Sequence, residues 1–179
     1  IYQHYKQIAL NSPLPIIVYN VPSRTGSNVE PETFLRLAND FENIIAIKES
    51  SGDLNQVQQI LKKAPPHVQI ISGDDAMTLP MLLAGSVGTI SVLGNALPVP
   101  LVRLFHLVEQ GNLVKAYQLH YQVADLIDLL FEEGNPVGIK ALMDSLSICN
   151  KTVRLPLVNA SEDLCQRIET VLESTISTV

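Results

Sequence analysis

The chain has few cysteine, aromatic and basic residues, and these shortages exclude whole classes of protein. Only two of its 179 residues are cysteines, Cys149 and Cys165, and neither belongs to a CxxC pair. We expect reduced thiols in a cytoplasmic protein, because a disulfide framework or a zinc site needs more cysteines at closer spacing. The 12 basic residues are outnumbered by 18 acidic ones, and the formal charge of −6 argues against a nucleic-acid partner.

Motifs for membranes, metals and dinucleotides are missing as well. No apolar run approaches the roughly 20 residues that a membrane helix needs, so no membrane partner is predicted. No GxGxxG follows an aliphatic run, which leaves dinucleotide binding without support. No metal is assigned, because the four histidines lack an acidic residue or a cysteine at metal-ligand spacing: His4, His67, His106 and His120.

What the chain does contain is a regular alternation of aliphatic runs and amphipathic stretches. Four runs are typical of strands buried on both faces: 15–20, 44–48, 68–72 and 87–92. Amphipathic stretches separate them at 31–40, 53–63 and 75–84, the first starting at Pro31 and the third after Asp74 as an N-cap. This alternation predicts βα units with a parallel sheet.

The pattern after the fourth run predicts helices only, at 98–110, 112–133, 136–147 and 161–175. Two α/β architectures stay open: a doubly wound sheet, or half of an eight-stranded βα barrel, whose complete form typically needs about 250 residues. The chain also starts at Ile1 in helical-looking sequence without an initiator methionine. We therefore expect a fragment of a longer chain.

Lys48 is the first candidate for chemistry, because the reactive groups of parallel βα folds lie at the carboxyl ends of strands. It closes an aliphatic run and shares one strand face with Ala46 and Ile44. A lysine that is partly desolvated in such a place offers a neutral amine as a nucleophile toward a ketone. The alternative is a lysine whose long stem carries its charge into solvent.

Three further candidates follow the same logic. Tyr19, at the end of the preceding strand, offers a phenol for proton relay, although a packing role is the alternative. Arg24 lies on a loop stiffened by Pro22 and suits capture of a carboxylate, unless it is simply solvated. Gly73 lets backbone approach a small ligand, whereas the neighbouring Asp74 is interpreted as a helix cap.

Taken together, these stretches resemble a known family. They are Tyr19-Asn20-Val21-Pro22-Ser23-Arg24-Thr25-Gly26, Ile47-Lys48-Glu49 with Ser51-Gly52-Asp53, Ser72-Gly73-Asp74-Asp75-Ala76, and Asn135-Pro136 followed by Lys140. The chain is similar along its length to the dihydrodipicolinate synthases. The lysine and tyrosine are shared across the pyruvate-dependent aldolases, including N-acetylneuraminate lyase, whereas the Ser-Arg-Thr-Gly stretch is specific to the synthases.

The resemblance implies a lyase of lysine and diaminopimelate biosynthesis. Lys48 would form an imine with pyruvate, and the derived enamine would attack aspartate semialdehyde. Tyr19 would relay protons, Arg24 would hold a carboxylate, and Gly73 and Ile90 would line the pyruvate pocket. No diffusible cofactor is implied, because the lysine itself serves as the electron sink.

The fold implied is the C-terminal half of a TIM (β/α)8 barrel over residues 1–110, followed by a helical domain over 111–179. In the family, the upstream half carries a Gly-Thr-Thr-Gly loop, a tyrosine donated across a dimer interface and, in some members, a lysine-feedback site. Since this sequence lacks them, we expect the 179-residue polypeptide to be inactive or barely active. The family also implies a homo-oligomer, a tetramer built from dimers.

Two alternatives stay open. One is another pyruvate-dependent aldolase that acts on sialic acid or keto-sugar acids, against which Arg24 argues. The other is a non-catalytic half-barrel that serves as a binding module and keeps Lys48 only as a relic.

Overall fold

The computed structural model describes residues 1–176 and contains a four-stranded parallel sheet. Its strands are β1 (Ile16–Asn20), β2 (Ile44–Glu49), β3 (Gln69–Ser72) and β4 (Gly88–Thr89). They lie in the order β1-β2-β3-β4, and every neighbouring pair is parallel. The predicted α/β class and the parallel sheet are thus confirmed, although β4 is much shorter than the run at 87–92.

Five helices accompany this sheet in the first of two compact units, Ile1–Ile90. They are α1 (Tyr2–Asn11), α2 (Pro22–Thr25), α3 (Pro31–Asp40), α4 (Leu54–Lys63) and α5 (Thr78–Ala84). Pro31 is the first residue of α3, as predicted, since its fixed φ suits that position. Asp53 caps α4 by accepting hydrogen bonds from the backbone N–H groups of Asn55 and Gln56.

The predicted start of the helix at 75–84 is wrong. Helix α5 begins at Thr78 because the carboxylate of Asp74 accepts from the N–H groups of Ala76 and Met77, at 2.9 and 3.3 Å, and holds these residues in a turn. Asp74 therefore has the capping role expected of it, but it caps a turn that precedes the helix.

The two faces of the sheet differ in burial. Val18, Ile47 and Ile70 are buried against a core that includes Phe34 and Ile60 from α3 and α4. On the opposite face, apolar side chains remain open: Ile17, Tyr19 and Ile90 are 44%, 43% and 45% exposed. Because successive side chains of a strand point to opposite faces, the sheet has one packed and one open side.

The second unit, which begins at Ser91, is built from helices in its described part. It contains a 3₁₀ turn (Leu93–Asn95) and helices α6 (Pro98–Glu109), α7 (Leu113–Glu132), α8 (Val137–Ser145) and α9 (Glu162–Ile176). Its core includes Leu126, Leu130, Leu142, Leu164 and Ile168, each fully buried.

Close contacts fix the helices of this unit. Gly138 brings α8 against α7, because a Cβ at this position would lie 2.4 Å from the carbonyl oxygen of Leu130. Arg167 on α9 donates to the carboxylate of Glu132 at the end of α7 and also to Asp163. The hydrogen bond to Glu132 raises the pKa of Arg167, and the same contact lowers the pKa of Glu132.

The compact units divide after Ile90, whereas the predicted boundary follows residue 110 and assigns α6 to the barrel. That assignment, together with the helical domain at 111–179, stays a prediction about the intact fold. Residues 177–179 lie outside the described residues. Within residues 1–176, the helices are all too short or too polar to cross a membrane.

Candidate active site

The register of β1 and β2 brings the two predicted catalytic residues together. Tyr19 is the direct partner of Lys48 in the parallel ladder. The side chains therefore leave the same face of the sheet, and the Nζ of Lys48 lies 4.0 Å from the centroid of the Tyr19 ring. Two residues that are distant in sequence thus form one contact at the carboxyl ends of their strands.

Gly73 follows β3 and lies directly against the stem of Lys48. A Cβ on Gly73 would be 2.7 Å from Cε of Lys48, 2.9 Å from its Cγ and 2.1 Å from Oγ of Ser50. The missing side chain thus leaves the space that the lysine stem occupies. The approach of a small ligand to this backbone stays a prediction.

Ile90 belongs to the same face. Ile71 pairs with both Lys48 and Gly88, and Ile90 lies two residues beyond Gly88, so the alternation of side chains returns it to the side of Lys48. Its N–H donates to the carbonyl oxygen of Ser72 at 2.8 Å, which extends the ladder past β4. Ile90 therefore adds an apolar, half-exposed side chain to the open face.

Arg24 lies on α2, the single helical turn that follows β1, and is exposed. The turn ends at Gly26, whose φ of 66° lies in the left-handed region, and the hydroxyl of Thr25 donates to backbone carbonyls on both sides. The loop predicted around Arg24 is thus a single helical turn that begins at Pro22. The binding of a carboxylate by Arg24 stays a prediction.

A cleft of about 310 Å³ adjoins Tyr19 on the side of α1 and α2. It is lined by Ile1, His4, Tyr5, Tyr19, Asn20, Thr25, Ser27 and Val29. Burial raises the pKa of the Tyr5 phenol, and a hydrogen bond with the backbone of Tyr19 partly opposes this rise in pKa. Tyr19 is thus positioned between Lys48 and an open cleft.

A buried polar cluster on the other face of the sheet was missed by the sequence analysis. Asn20 and Glu49, each 1% exposed, are hydrogen-bonded to one another and to side chains outside the strands. A signal was present, because these polar residues follow Tyr19 and Lys48 immediately and end two otherwise aliphatic strands. Alternation alone places them on the helix-covered face.

Residues 1–176 contain no group of three or more His, Cys, Asp or Glu side chains that could hold a metal ion. The adjacent acids Asp74 and Asp75 lie in different surroundings. Asp74 caps the turn before α5, whereas Asp75 is buried with 2% exposure. The site is therefore a lysine–tyrosine pair on a parallel sheet, bordered by small and apolar residues.

This arrangement, with ionisable side chains at the carboxyl ends of parallel strands, is typical of βα enzymes. The Dihydrodipicolinate synthetase family model matches residues 1–175. The chain belongs to this family.

Individual relatives agree with the family model. The 4-hydroxy-tetrahydrodipicolinate synthase of Flavobacterium psychrophilum is 49% identical over 169 residues, covering 94% of this chain and 58% of the relative. That of Archaeoglobus fulgidus is 41% identical over 174 residues, covering 97% and 60%. The chain thus spans about three fifths of the length of these relatives.

Solved structures show the same fold. Dihydrodipicolinate synthase from Thermotoga maritima superposes with a TM-score of 0.94 at 39% identity, covering 97% of this chain and 60% of that structure. The enzyme from Aquifex aeolicus gives a TM-score of 0.92 at 37% identity, with coverage of 96% and 59%. The four parallel strands and the helices described here therefore have direct counterparts in this family.

The packing of Gly73 on Lys48 predicts the effect of a single methyl group. Gly73→Ala should lower the free energy of unfolding by about 1–3 kcal/mol, because the new Cβ overlaps Lys48 and Ser50. Gly88→Ala is the matched control, since a Cβ there meets nothing within 4 Å, and its effect should stay within about 0.5 kcal/mol. Urea unfolding of both variants measures the difference, and equal midpoints would contradict the packing.

Proposed function

We propose that this chain carries the imine-forming lysine of a pyruvate-dependent aldol condensation. The product of pyruvate and aspartate semialdehyde would be 4-hydroxy-tetrahydrodipicolinate, as the names of its relatives indicate. The observation that carries the proposal is the contact of Lys48 with Tyr19, which strand register brings together at the carboxyl edge of the sheet.

Each side chain has a chemical task in this proposal. The neutral amine of Lys48 attacks the ketone carbon of pyruvate, and loss of water from the carbinolamine gives the imine. Loss of a proton from the methyl group then gives an enamine, whose carbon attacks the aldehyde. Tyr19 lies beside the amine and is suited to carry protons during formation and dehydration of the carbinolamine. No further cofactor is needed, because the protonated imine accepts the electron pair.

The surrounding residues support binding of a small keto acid. Gly73 and Ile90 lie on the face of the sheet that carries Lys48, so backbone and an apolar side chain would line the pyruvate. Arg24, on the turn after Tyr19, would bind a substrate carboxylate through its planar guanidinium. The structure of dihydrodipicolinate synthase from Cyanidioschyzon merolae was solved with lysine bound. A bound lysine fits an enzyme family of lysine biosynthesis.

We further propose that the open face of the sheet is the inner face of half a TIM barrel. Four strands do not close a barrel, and the relatives are longer than this chain by a margin that accommodates the remaining strands. Closure would cover Ile17 and the other exposed apolar side chains.

We also propose a homo-oligomer, although one related structure is described as a monomeric variant.

Trapping of the imine tests the role of Lys48. A full-length protein containing this chain, incubated with pyruvate and reduced with borohydride, should gain one reduced pyruvate adduct, mapped to Lys48 by peptide mass spectrometry. Lys48→Arg should abolish the adduct because a guanidinium does not form an imine, whereas Lys140→Arg should leave it intact. An adduct that persists in Lys48→Arg would contradict the assignment.

Removal of one hydroxyl tests Tyr19. Tyr19→Phe keeps the ring beside Lys48 but removes the proton relay, so the rate of condensation should fall about 10²–10⁴-fold. Tyr117→Phe, on the exposed part of α7, is the control and should leave the rate unchanged.

The choice of aldehyde separates the two aldolase hypotheses. In assays with aspartate semialdehyde and with sugar-acid aldehydes, only aspartate semialdehyde should support turnover.

The isolated polypeptide of residues 1–179 should be inactive or barely active in the same assay. Its open sheet face exposes Tyr19, and edge strands that lack partners also favour association with other chains. Product formation by this defined polypeptide at a rate comparable to that of the full-length protein would refute the requirement for a closed barrel.

A further inference from the structure

Glu49 is a buried carboxylate that the proposed chemistry does not use. It is 1% exposed, and it lies on the helix-covered face of the sheet, opposite Lys48. Among the described residues, its donors are neutral: Nδ2 of Asn20 at 3.0 and 3.1 Å, Nε2 of Gln56 at 2.9 Å and the N–H of Ser51 at 2.7 Å. This buried carboxyl group is therefore hydrogen-bonded to side-chain and backbone amides.

Asn20 is bonded on every side as well. Its Nδ2 donates to Oδ1 of Asn28 at 2.8 Å in addition to Glu49, and its Oδ1 accepts from the N–H of Val29 at 2.9 Å. Gln56, at the start of α4, also exchanges hydrogen bonds with Asn28. We call Asn20, Glu49 and Gln56 the amide clamp, because together they connect β1, β2, α4 and the segment before α3.

The position of the amide clamp in the ladder is its informative feature. Asn20 pairs with Glu49 directly after Tyr19 pairs with Lys48. The backbone continues this pairing, because the N–H of Ser50 donates to the carbonyl oxygen of Asn20 at 2.9 Å. The clamp thus holds the last pair of the two strands on one face, and the lysine–tyrosine contact lies one residue away on the other face.

Stability alone is a weak reason to bury this carboxylate. Removing a charged group from water is costly, and well-packed apolar residues in place of buried polar groups are often equally stabilising. Hydrogen bonds with defined donors and acceptors, in contrast, favour one register, since a shift of the strands separates the carboxylate of Glu49 from the amide of Asn20. The arrangement is suited to fix geometry.

We propose that Asn20 and Glu49 are positioning residues that set the register of the ends of β1 and β2, and thereby the approach of Tyr19 to Lys48. This inference rests on the proposed function for its catalytic consequence. Neither residue touches the reacting atoms, and their action passes through the backbone to the neighbouring residue.

A reciprocal exchange in the full-length protein tests the proposal. Glu49→Gln and Asn20→Asp each disrupt the match of donors and acceptors, whereas the double variant restores the amide–carboxylate pair between the two strands with the amide on the other strand. Each single variant should form the borohydride-trapped imine at saturating pyruvate about tenfold more slowly. The double variant should recover part of that rate, because the pair between the strands returns while the bond to Asn28 does not. Gln56→Ala, which leaves both strands unaltered, should slow it less.

The control separates positioning from stability. Val57 lies on α4, next to Gln56, and is buried. Val57→Ala removes buried apolar contacts of this helix without altering the amide clamp, so it should lower the Tm but leave the trapping rate unchanged. The proposal is overturned if the single variants trap pyruvate at the wild-type rate despite a lowered Tm. It is also overturned if the double variant is no faster than either single variant.

Hydrogen exchange gives a readout that does not involve pyruvate. The amide of Ser50 should exchange faster in each single variant than in Val57→Ala, and the double variant should restore part of its protection. A wild-type protein that traps no pyruvate would contradict the proposed function. The exchange rate of the Ser50 amide would still show whether the amide clamp holds the strand ends. Unchanged protection of Ser50 in both single variants would reject it.

Discussion

The parallel register of β1 and β2 is the constraint on which the site depends. A single ladder sets two rows on opposite faces of the sheet. The open face carries Tyr19, Lys48, Ile71 and Gly88, and the helix-covered face carries Asn20, Glu49, Ser72 and Thr89. Because side chains alternate with a period of two, a shift by one residue would exchange the rows, and Lys48 would lose its place beside Tyr19.

The two faces solve different physical problems. On the covered face, polar atoms that lose water must find partners, and the amides around Glu49 supply them. On the open face, the amine of Lys48 lies beside the ring of Tyr19, and the stem of the lysine requires space. Gly73 provides that space by having no side chain where the lysine stem lies. Hydrogen-bonded polar groups on the covered face and room for the lysine stem on the open face are therefore complementary features of the same strand ends.

The sequence predicted the elements better than their limits. Continuous aliphatic runs and capping residues identified the strands and most helices, because these signals act over a few neighbouring residues. The start of α5 was missed because Asp74 caps a turn just as well as a helix. The limits of β4 were also missed, since the extent of a strand depends on which backbone groups its neighbour offers, and that is a property of the assembled sheet.

The sequence by itself determined the α/β class, the alternation of strands and helices and the family that the chain resembles, since these follow from local periodicity and from motifs. The tertiary structure decided which residues meet. It placed Lys48 against Tyr19 and Gly73, and it joined Asn20 to Glu49 across 29 positions of the chain. The physical reason is that register and side-chain contact arise only when distant strands pair, and no local pattern contains the partner of a residue.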